Sequence, residues 1–252
     1  MLFHSPAAAE GVDGEALGKL VGEISQDALG RGMTIVQSLL DPRADRDIEV
    51  LSAAGYHLLA RLIYMRLDVA RSADGGGSRQ AFTWRNFLQF STEQLERVVA
   101  GTYAGSLDCP ALAGLREVPD VIAGHKSAAA FCPRAWLICY VEGSPAGCIL
   151  VNDSRDGVSA EVAYMGVLPA YRGRGVATAL VGRSAELARR RARSSLTLSV
   201  DADNRFAVRR YLAEGFSQEG SRLAYAACSR GPLVGPWSGP DGPAATGAEG
   251  LL

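Results

Sequence analysis

The sequence predicts an α/β chain of the α+β kind, a mixed sheet flanked by helices and preceded by a shorter lobe built on half the same plan. Three observations predict it. Short β-branched apolar runs alternate with segments whose apolar residues recur at helical spacing. A buried strand candidate at 161–169 runs through a glycine-rich loop directly into a long helix. The order helix, strand, helix, glycine, aromatic, strand occurs twice, 160 residues apart.

Residues 1–13 carry no periodic apolar pattern and read as a loose start. From 14 to 31, Ala16, Leu17, Leu20, Val21, Ile24 and Leu29 mostly recur at helical spacing, and Gly30 and Gly32 bracket the end, so a helix of about four turns is expected. MTIVQSLLD (33–41) is a strand candidate; Pro42 and a second helix over 45–54 follow, stopped by Gly55, and HLLARLIYMRLDV (57–69) is another strand. RSADGGGSRQ (71–80) is a linker by composition and marks a domain boundary, leaving 1–70 as a first lobe. AFTWRNFLQF (81–90) reads as a strand. STEQLERVVAGTY (91–103) opens a helix with Ser91 as cap and Glu93 or Gln94 closing a capping box, and a weaker helix covers 119–125. Segments 134–143 and 144–153 resemble the arms of a hairpin around Glu142, Gly143 and Ser144, with a third strand at 161–169. A helix over 175–193, a strand at 196–201, a helix over 205–214, Gly215 and a strand at 221–227 complete a second domain, 81–228; the Gly-, Pro- and Ala-rich remainder, 229–252, reads as a disordered tail.

The 252 residues suffice for one large domain or two modest ones, and 48% hydrophobic with 21% charged residues excludes wholesale disorder. Twenty-six basic against 27 acidic side chains leave a net charge of -1, so nothing global attracts nucleic acid or anionic lipid, and any polyanion must be held locally. No apolar run reaches the roughly 18 residues of a membrane-spanning helix, and MLFHSPAAAEGVDGE lacks a basic leader and an apolar stretch, which gives a cytoplasmic address as the expectation. Cys109, Cys132, Cys139, Cys148 and Cys228 form no CxxC pair and stand beside only three histidines, so neither a metal site nor a disulfide framework is expected.

Chemistry concentrates in EVAYMGVLPAYRGRGVATALVGRSAELA (161–188). Glycines around Arg172, Gly173, Arg174 and Gly175 let successive backbone N–H groups turn toward one point, the helix start adds about half a positive charge, and Arg172 or Arg174 can add a charge-assisted bond. A pyrophosphate is the natural guest. The loop lacks the lysine and hydroxyl of a P-loop and is not G-x-G-x-x-G, which disfavours nucleotide hydrolysis and hydride transfer.

These residues resemble the GNAT superfamily of acyl-CoA-dependent N-acyltransferases. The family's central signature, R or Q, two residues, G, one residue, then G or A, reads here Arg172, Gly173, Arg174, Gly175, Val176, Ala177, and its second reads LTLSVD followed by Asn204, Ala207, Tyr211, Gly215 and Phe216. The resemblance covers about residues 81–228. It implies that backbone groups of Met165, Gly166 and Val167 pair with the pantetheine arm as if it were an extra strand, and that Arg172, Gly173, Arg174, Gly175, Val176, Ala177 and Thr178 hold the pyrophosphate. Asn204 would steady the cofactor arm, and Tyr211, near the sulfur, would be the general acid, a phenol of pKa about 10 being able to protonate a thiolate. Glu161, five residues before Gly166, is the implied general base. Direct transfer through a tetrahedral intermediate, with a backbone N–H near Val167 holding the oxyanion, requires no covalent cysteine. The implied donor is acetyl-CoA, without a metal. The implied acceptor is a primary amine of a small metabolite, seated between the lobes and the helices around 91–130. A non-catalytic acyl-CoA-binding regulatory module and a protein N-acetyltransferase are the alternatives.

At the 160-residue offset, Asp201, Ala213 and Gly215 answer to Asp41, Ala53 and Gly55, Phe216 to Tyr56 and Val208 to Ile48. The first copy has Ala44 for Asn204, Leu51 for Tyr211, and Val12, Asp13, Gly14 and Glu15 for the anion loop, so it is expected to bind no CoA. The whole resembles a tandem GNAT arrangement similar to mycothiol synthase, with a truncated, degenerate first lobe. ARRRARS (188–194) reads as a solvated helix end, Trp84, Trp136, Tyr140 and Tyr103 as core, and His125 as a residue able to reach the acceptor pocket.

Overall fold

The computed structural model describes residues 2–4, 13–71, 81–112, 114–155 and 157–229. Among them the elements run β1 (Leu2–His4), α1 (Gly14–Gly30), β2 (Ile35–Leu40), α2 (Asp45–Ala53), β3 (His57–Asp68), β4 (Phe82–Asn86), α3 (Thr92–Tyr103), α4 (Val118–Ala128), β5 (Trp136–Val141), β6 (Ser144–Asp153), β7 (Ser159–Val167), α5 (Val176–Arg190), β8 (Ser195–Asp201), α6 (Arg205–Ala213) and β9 (Ser217–Cys228). The nine strands form one mixed sheet in the order β1-β2-β9-β3-β8-β7-β6-β5-β4. It is parallel at β1–β2 and β7–β8 and antiparallel elsewhere. The expected α/β class with a mixed, helix-flanked sheet is what the chain adopts.

Alternation along the strands sorts side chains to two faces. Met65, Leu67, Leu196, Leu198 and Val200 point to the face covered by α5 and α6, where they pack with Val176, Leu180, Val181, Tyr211 and Phe216. The same face of β2 and β9 receives α1 and α2 through Ala28, Leu29, Val36, Leu51, Tyr56 and Tyr225. The other face carries α3 and α4 on Trp136, Ile138, Tyr140 and Leu150, and further along the turn at 110–115 covers Ile35, Leu59, Ala224 and Ala226. Trp136 and Tyr140 are core, as expected.

The boundary expected at 71–80 separates the chain in sequence but not the sheet. Strand β3 lies between β8 and β9, and β9 lies between β3 and β2, so each half places its last strand against the penultimate strand of the other. The exchange keeps the 160-residue relation in its hydrogen bonding: Ile63 pairs with Val200 and Leu40 with Leu223, Asp68 with Ser195 and Ile35 with Cys228. A shift of 160 residues carries each of these pairs into its counterpart.

Several expectations change. Residues 2–4 are not a loose start but pair parallel with the outer edge of β2. The strand expected at 81–90 stops at Asn86, whose side chain accepts the Leu88 N–H at 3.0 Å while its carbonyl accepts that of Gln89, an Asx turn that competes with the ladder. The last strand begins at Ser217 rather than 221, because β3 offers it a partner over that length. The arginine run is not simply solvated: Arg191 and Arg193 pair with Asp153 at 3.0 and 3.1 Å, and Arg189 donates to the Val69 carbonyl. Residues 72–80, expected as a linker, and 230–252 of the expected tail lie outside the described residues.

Candidate functional site

Strands β7 and β8 start side by side and then part. Their parallel ladder holds Ser159, Ala160 and Glu161 against Ser195, Leu196 and Thr197 and ends there. Beyond it, β7 remains paired with β6 through Val167 and β8 with β3 through Asp201, so neither strand is loose. What opens is a wedge between them, lined on one side by the β8-facing backbone of Val162 to Val167.

On the α3 side, helix and strand β7 pack closely. Gly166 has Thr102 so close that an added Cβ would stand 2.6 Å from its Oγ1, and one added at Gly101 would stand 2.6 Å from Leu168. Thr102 donates its hydroxyl proton to the Val99 carbonyl at 2.6 Å, so the 2.5 Å bond to Tyr164 is donated by the tyrosine. Tyr103 and His125 flank the same ring, at 6.2 and 5.8 Å between centroids. Burial, with Arg116 nearby, lowers His125 to about 4, so this imidazole is neutral at physiological pH.

Past the end of β7 a tight turn at Pro169–Tyr171 leads to α5. Gly173 and Gly175 take φ of 75° and 79°, the left-handed region in which a Cβ is strained. Gly175 is the helix cap and offers no side chain, and among the described residues the N–H groups of Gly173, Gly175, Val176, Ala177 and Thr178 donate to no protein acceptor. The first copy differs: Asp13 caps α1 with its own carboxylate, accepting from Glu15 at 3.1 Å. A helix start with free N–H groups, the geometry an anion would suit, thus stands in the second half, and its first-half counterpart is capped by the protein's own carboxylate.

Arg172 departs from its expected role. Its Nε donates to the Val167 carbonyl at 3.2 Å, and its other two nitrogens donate to Gly105 and Thr102 carbonyls at 3.1 and 3.0 Å, while its own N–H is taken by Pro169. A guanidinium beside the last carbonyls of α3 satisfies groups a helix end leaves unpaired, so this residue ties α3 to the end of β7. Arg174 remains at the loop surface, stacked 5.2 Å above Tyr171. Asn204 caps α6, its Oδ1 accepting the Ala207 N–H at 3.2 Å, where Ala44 leaves α2 without a side-chain cap.

Tyr211 and Glu161 approach from opposite faces. Tyr211 lies on the α6 side, 7% exposed against Phe216, and its hydroxyl makes no hydrogen bond to the described residues. Burial, and then the charge of Asp108 on the far face, push its phenol well above the usual value, so it is protonated at neutral pH. Glu161 ends the β7–β8 ladder on the α3 face, solvent-accessible but crowded enough that desolvation raises its carboxyl. Met165, Gly166 and Val167 continue the same strand along the wedge wall.

The same face holds residues that the sequence reading passed over. Asp108 accepts the Asp201 N–H and Asp201 accepts the Cys109 N–H, both at 3.1 Å, a reciprocal clamp that fixes the 104–117 loop over the end of β8. Burial raises both carboxyls, helped at Asp108 by the charge of Asp201 and at Asp201 by that of Asp203. Tyr64 of β3 stands opposite Ser199 of β8 and Gly220 of β9, and its phenol feels both Arg222 and Glu161. The polar alternation of Tyr64 and Arg66 within 57–68 was visible in sequence, but only the strand exchange places it here.

Residues 110–216 match the model of the acetyltransferase (GNAT) family. An uncharacterized N-acetyltransferase of Methanocaldococcus jannaschii is 32% identical over 89 residues, 33% of this chain and 39% of the relative, so the chain spans well under half of that protein. The fold is shared with a GCN5-related N-acetyltransferase of Sphaerobacter thermophilus, at TM-score 0.57 and 19% identity over 81% of this chain and 64% of that one. It is shared too with a tandem GNAT protein from the clavulanic acid biosynthesis pathway, at TM-score 0.56 and 13% identity over 85% and 70%. The family model and the curated relative liken part of this chain to acetyltransferases of GNAT type, and the solved structures share its fold. Among the described residues no helix is long and apolar enough to cross a membrane.

Proposed function

We propose that the chain is an N-acetyltransferase that moves an acetyl group from acetyl-CoA to a primary amine of a small metabolite. The observation that carries this reading is the wedge between β7 and β8 with the uncapped start of α5 at its open end. The donor set fits the co-substrate. Free N–H groups of Gly173, Gly175, Val176, Ala177 and Thr178 suit a diphosphate, and the edge of Met165, Gly166 and Val167 that faces away from β6 suits the amides of a pantetheine arm. Bound acetyl-CoA supplies the activated acyl group and a thiolate leaving group.

The chain's own residues manage protons and orientation. Glu161 receives a proton from the acceptor's ammonium on its carboxylate oxygen, which its raised pKa favours. Tyr211 holds its hydroxyl proton until sulfur departs and regains one from the acylated nitrogen, so one proton per turnover leaves through Glu161. The N–H of Val167, at the end of the wedge wall, is the donor toward the carbonyl oxygen. Arg172 and Asn204 hold the frame, Arg172 through α3 and Asn204 as a helix cap.

The first half reads as a degenerate second copy in this tandem arrangement. Its β1 stays hydrogen-bonded to β2 at Ser38 and Leu39, positions that answer to Leu198 and Ser199, where β7 has already left β8. A paired edge leaves no slot for a pantetheine arm. Thermal shift with acetyl-CoA, followed by thiol release with an amine panel, tests the whole reading. Stabilisation together with amine-dependent thiol supports it. Stabilisation with no thiol from any amine would leave a CoA-binding module, and the absence of both refutes it.

A further inference from the structure

The loop between α3 and α4 sends one side chain into the wedge. Gly105 and Cys109 take φ of 62° and 45°, left-handed turns that reverse the chain on either side of Asp108. Ser106 Oγ accepts the Asp108 N–H at 3.1 Å, and Asp108 Oδ1 accepts the Asp201 N–H at 3.1 Å. The direction of that last N–H locates the carboxylate. Successive N–H groups of a strand point to opposite edges, and the next one along, of Ala202, donates to the Arg61 carbonyl of β3 at 2.8 Å. The Asp201 N–H therefore points away from β3, toward β7. Asp108 takes the place on the edge of β8 that β7 vacates when the strands part, four residues past the last ladder pair of Glu161 with Thr197. Met165 and Gly166 stand across from it on the other wall.

Among the described residues nothing engages the rest of this carboxylate. Asp201 has both oxygens occupied, by the N–H groups of Asp203 and Cys109 at 3.0 and 3.1 Å, whereas Asp108 Oδ2 accepts no bond and pairs with no cation. Arg172, whose Nη1 reaches Gly105 of the same loop, is spent on three carbonyls. Asp108 is exposed to solvent. Tyr211 supplies the third side. It is 7% exposed, and its hydroxyl makes no hydrogen bond to the described residues. Its phenol senses the charge of Asp108 although the two belong to opposite faces of the sheet, so hydroxyl and carboxylate look into the same gap. A carboxylate without a counter-ion, bounded by a strand edge and an unpartnered phenol, suits a cation with several donors.

We propose that Asp108 is the acceptor-recognition residue: its free oxygen holds the acceptor as an alkylammonium on the β8 wall, across from the acyl carrier on the β7 wall, and so selects amines that arrive charged. The inference rests on the acyl-transfer reading above and names how its acceptor is held. Asp108 contributes binding rather than proton transfer, so its loss falls on KM.

With saturating acetyl-CoA at neutral pH, thiol release is compared for cyclohexylamine, which is cationic there, and aniline, a ring of the same size that is neutral. Asp108→Asn keeps an oxygen for the Asp201 N–H and removes the charge, so the melting temperature should stay within about 2 °C of the parent. Its KM for cyclohexylamine should rise about tenfold or more with kcat within about threefold, while KM for aniline and for acetyl-CoA should move less than about twofold. In the parent, N,N-dimethylcyclohexylamine, a cation with no proton to exchange for an acyl group, should compete with cyclohexylamine, and cyclohexanol should not. Equal changes for both amines in Asp108→Asn, or equal inhibition by the cation and the alcohol, overturn the inference while leaving acyl transfer standing. So does a lower KM for acetyl-CoA in the variant, which would make Asp108 a plug of the wedge. If neither amine releases thiol, acyl transfer itself fails, and an NMR titration of the protein with cyclohexylamine still decides: binding that weakens about tenfold in Asp108→Asn upholds the cation site, and unchanged affinity, or no binding to the parent, refutes it.

Discussion

Replacing Gly175 by Asp separates the fold from its anion site. Gly175 sits at φ 79° with an open surrounding, so an added side chain meets no neighbour but pays the left-handed backbone cost of about 1 kcal/mol, a cost Asp and Asn bear better than other residues. The new carboxylate becomes a helix cap for amides that now lack one, a gain of about 1 kcal/mol, to which the helix dipole adds about 0.5 kcal/mol. The two sides nearly cancel, so the melting temperature should move by no more than about 3 °C. Acetyl-CoA binding should not survive so well. A carboxylate about 4 Å from a diphosphate charge repels it by about 1 kcal/mol in bulk water and about 4 kcal/mol near a protein surface, and it competes for the same N–H groups. Affinity should fall by about 10²–10³. Gly175→Asn, the same shape without the charge, should lose less than about tenfold. Calorimetric titration of acetyl-CoA with scanning fluorimetry on both variants reads this directly. An Asp variant that binds acetyl-CoA like the parent would show that the diphosphate is held elsewhere.

Other predictions follow from the same geometry. Tyr211→Phe removes a hydroxyl that makes no hydrogen bond to the described residues, so turnover should drop by roughly 10²–10⁴ with an unchanged melting temperature, and a parental rate would take Tyr211 out of the chemistry. Because desolvation raises Glu161, kcat/KM should climb with pH through an inflection above the usual carboxylate value of about 4.3, and Glu161→Gln should abolish that inflection along with most activity. Arg172→Ala strands three carbonyls at the junction of α3 and β7, costing about 1–3 kcal/mol in chemical denaturation, and Arg172→Lys should restore little because a single ammonium cannot reach three acceptors in a fork. Full stability with lost CoA affinity in Arg172→Ala would return this residue to the cofactor. For Asp153, burial acting alone would raise the carboxyl, but the bonds from Arg193 and Arg191 hold it below the usual range, so it stabilises the fold above its unfolded pKa and that contribution is lost as pH falls through the folded one. Asp153→Asn should therefore lower the melting temperature at pH 7 by a few degrees, a gap that closes toward pH about 3.

Much of this was legible in the residues, for reasons that differ by element. The strand into loop into helix at 161–188 declared itself because glycines at left-handed positions and a missing helix cap are local properties, written within a few residues. Tyr211 comes to notice only through the family resemblance, and the structure buries it against Phe216 on the α6 side of the sheet. Arg172 misled for an equally physical reason. An arginine beside an anion loop looks like a ligand in one dimension, and only the arrival of α3, seventy residues earlier in the chain, presents the Thr102 and Gly105 carbonyls that claim it. Asn204 could not be divided between cap and ligand from sequence, since both uses call for the same amide. Leu2–His4 escaped notice because three residues are too few for any periodicity, and their structure comes from the open edge of β2.

The strand exchange was least legible. Strand order is a long-range property: an apolar alternation fixes which face a residue takes but not which neighbour it takes beside it. If β9 lay beside β8 in the register that β3 occupies, the 160-residue relation would put Ala224 and Ala226 where Tyr64 and Arg66 now stand. That part of the face would be nearly apolar. Placing β3 there instead lends the second half a phenol and a guanidinium from the first, and β9, moved one place outward, brings Arg222 to the rim of a concavity that Tyr64 lines as well. In the first half β1 is paired with β2 along all three of its residues, and Asp13 caps α1 with its own carboxylate. Its strand β3 is held on both edges by residues of the second half, so residues 57–68 and 217–228 present one continuous surface, and a substitution on either strand is felt by the other.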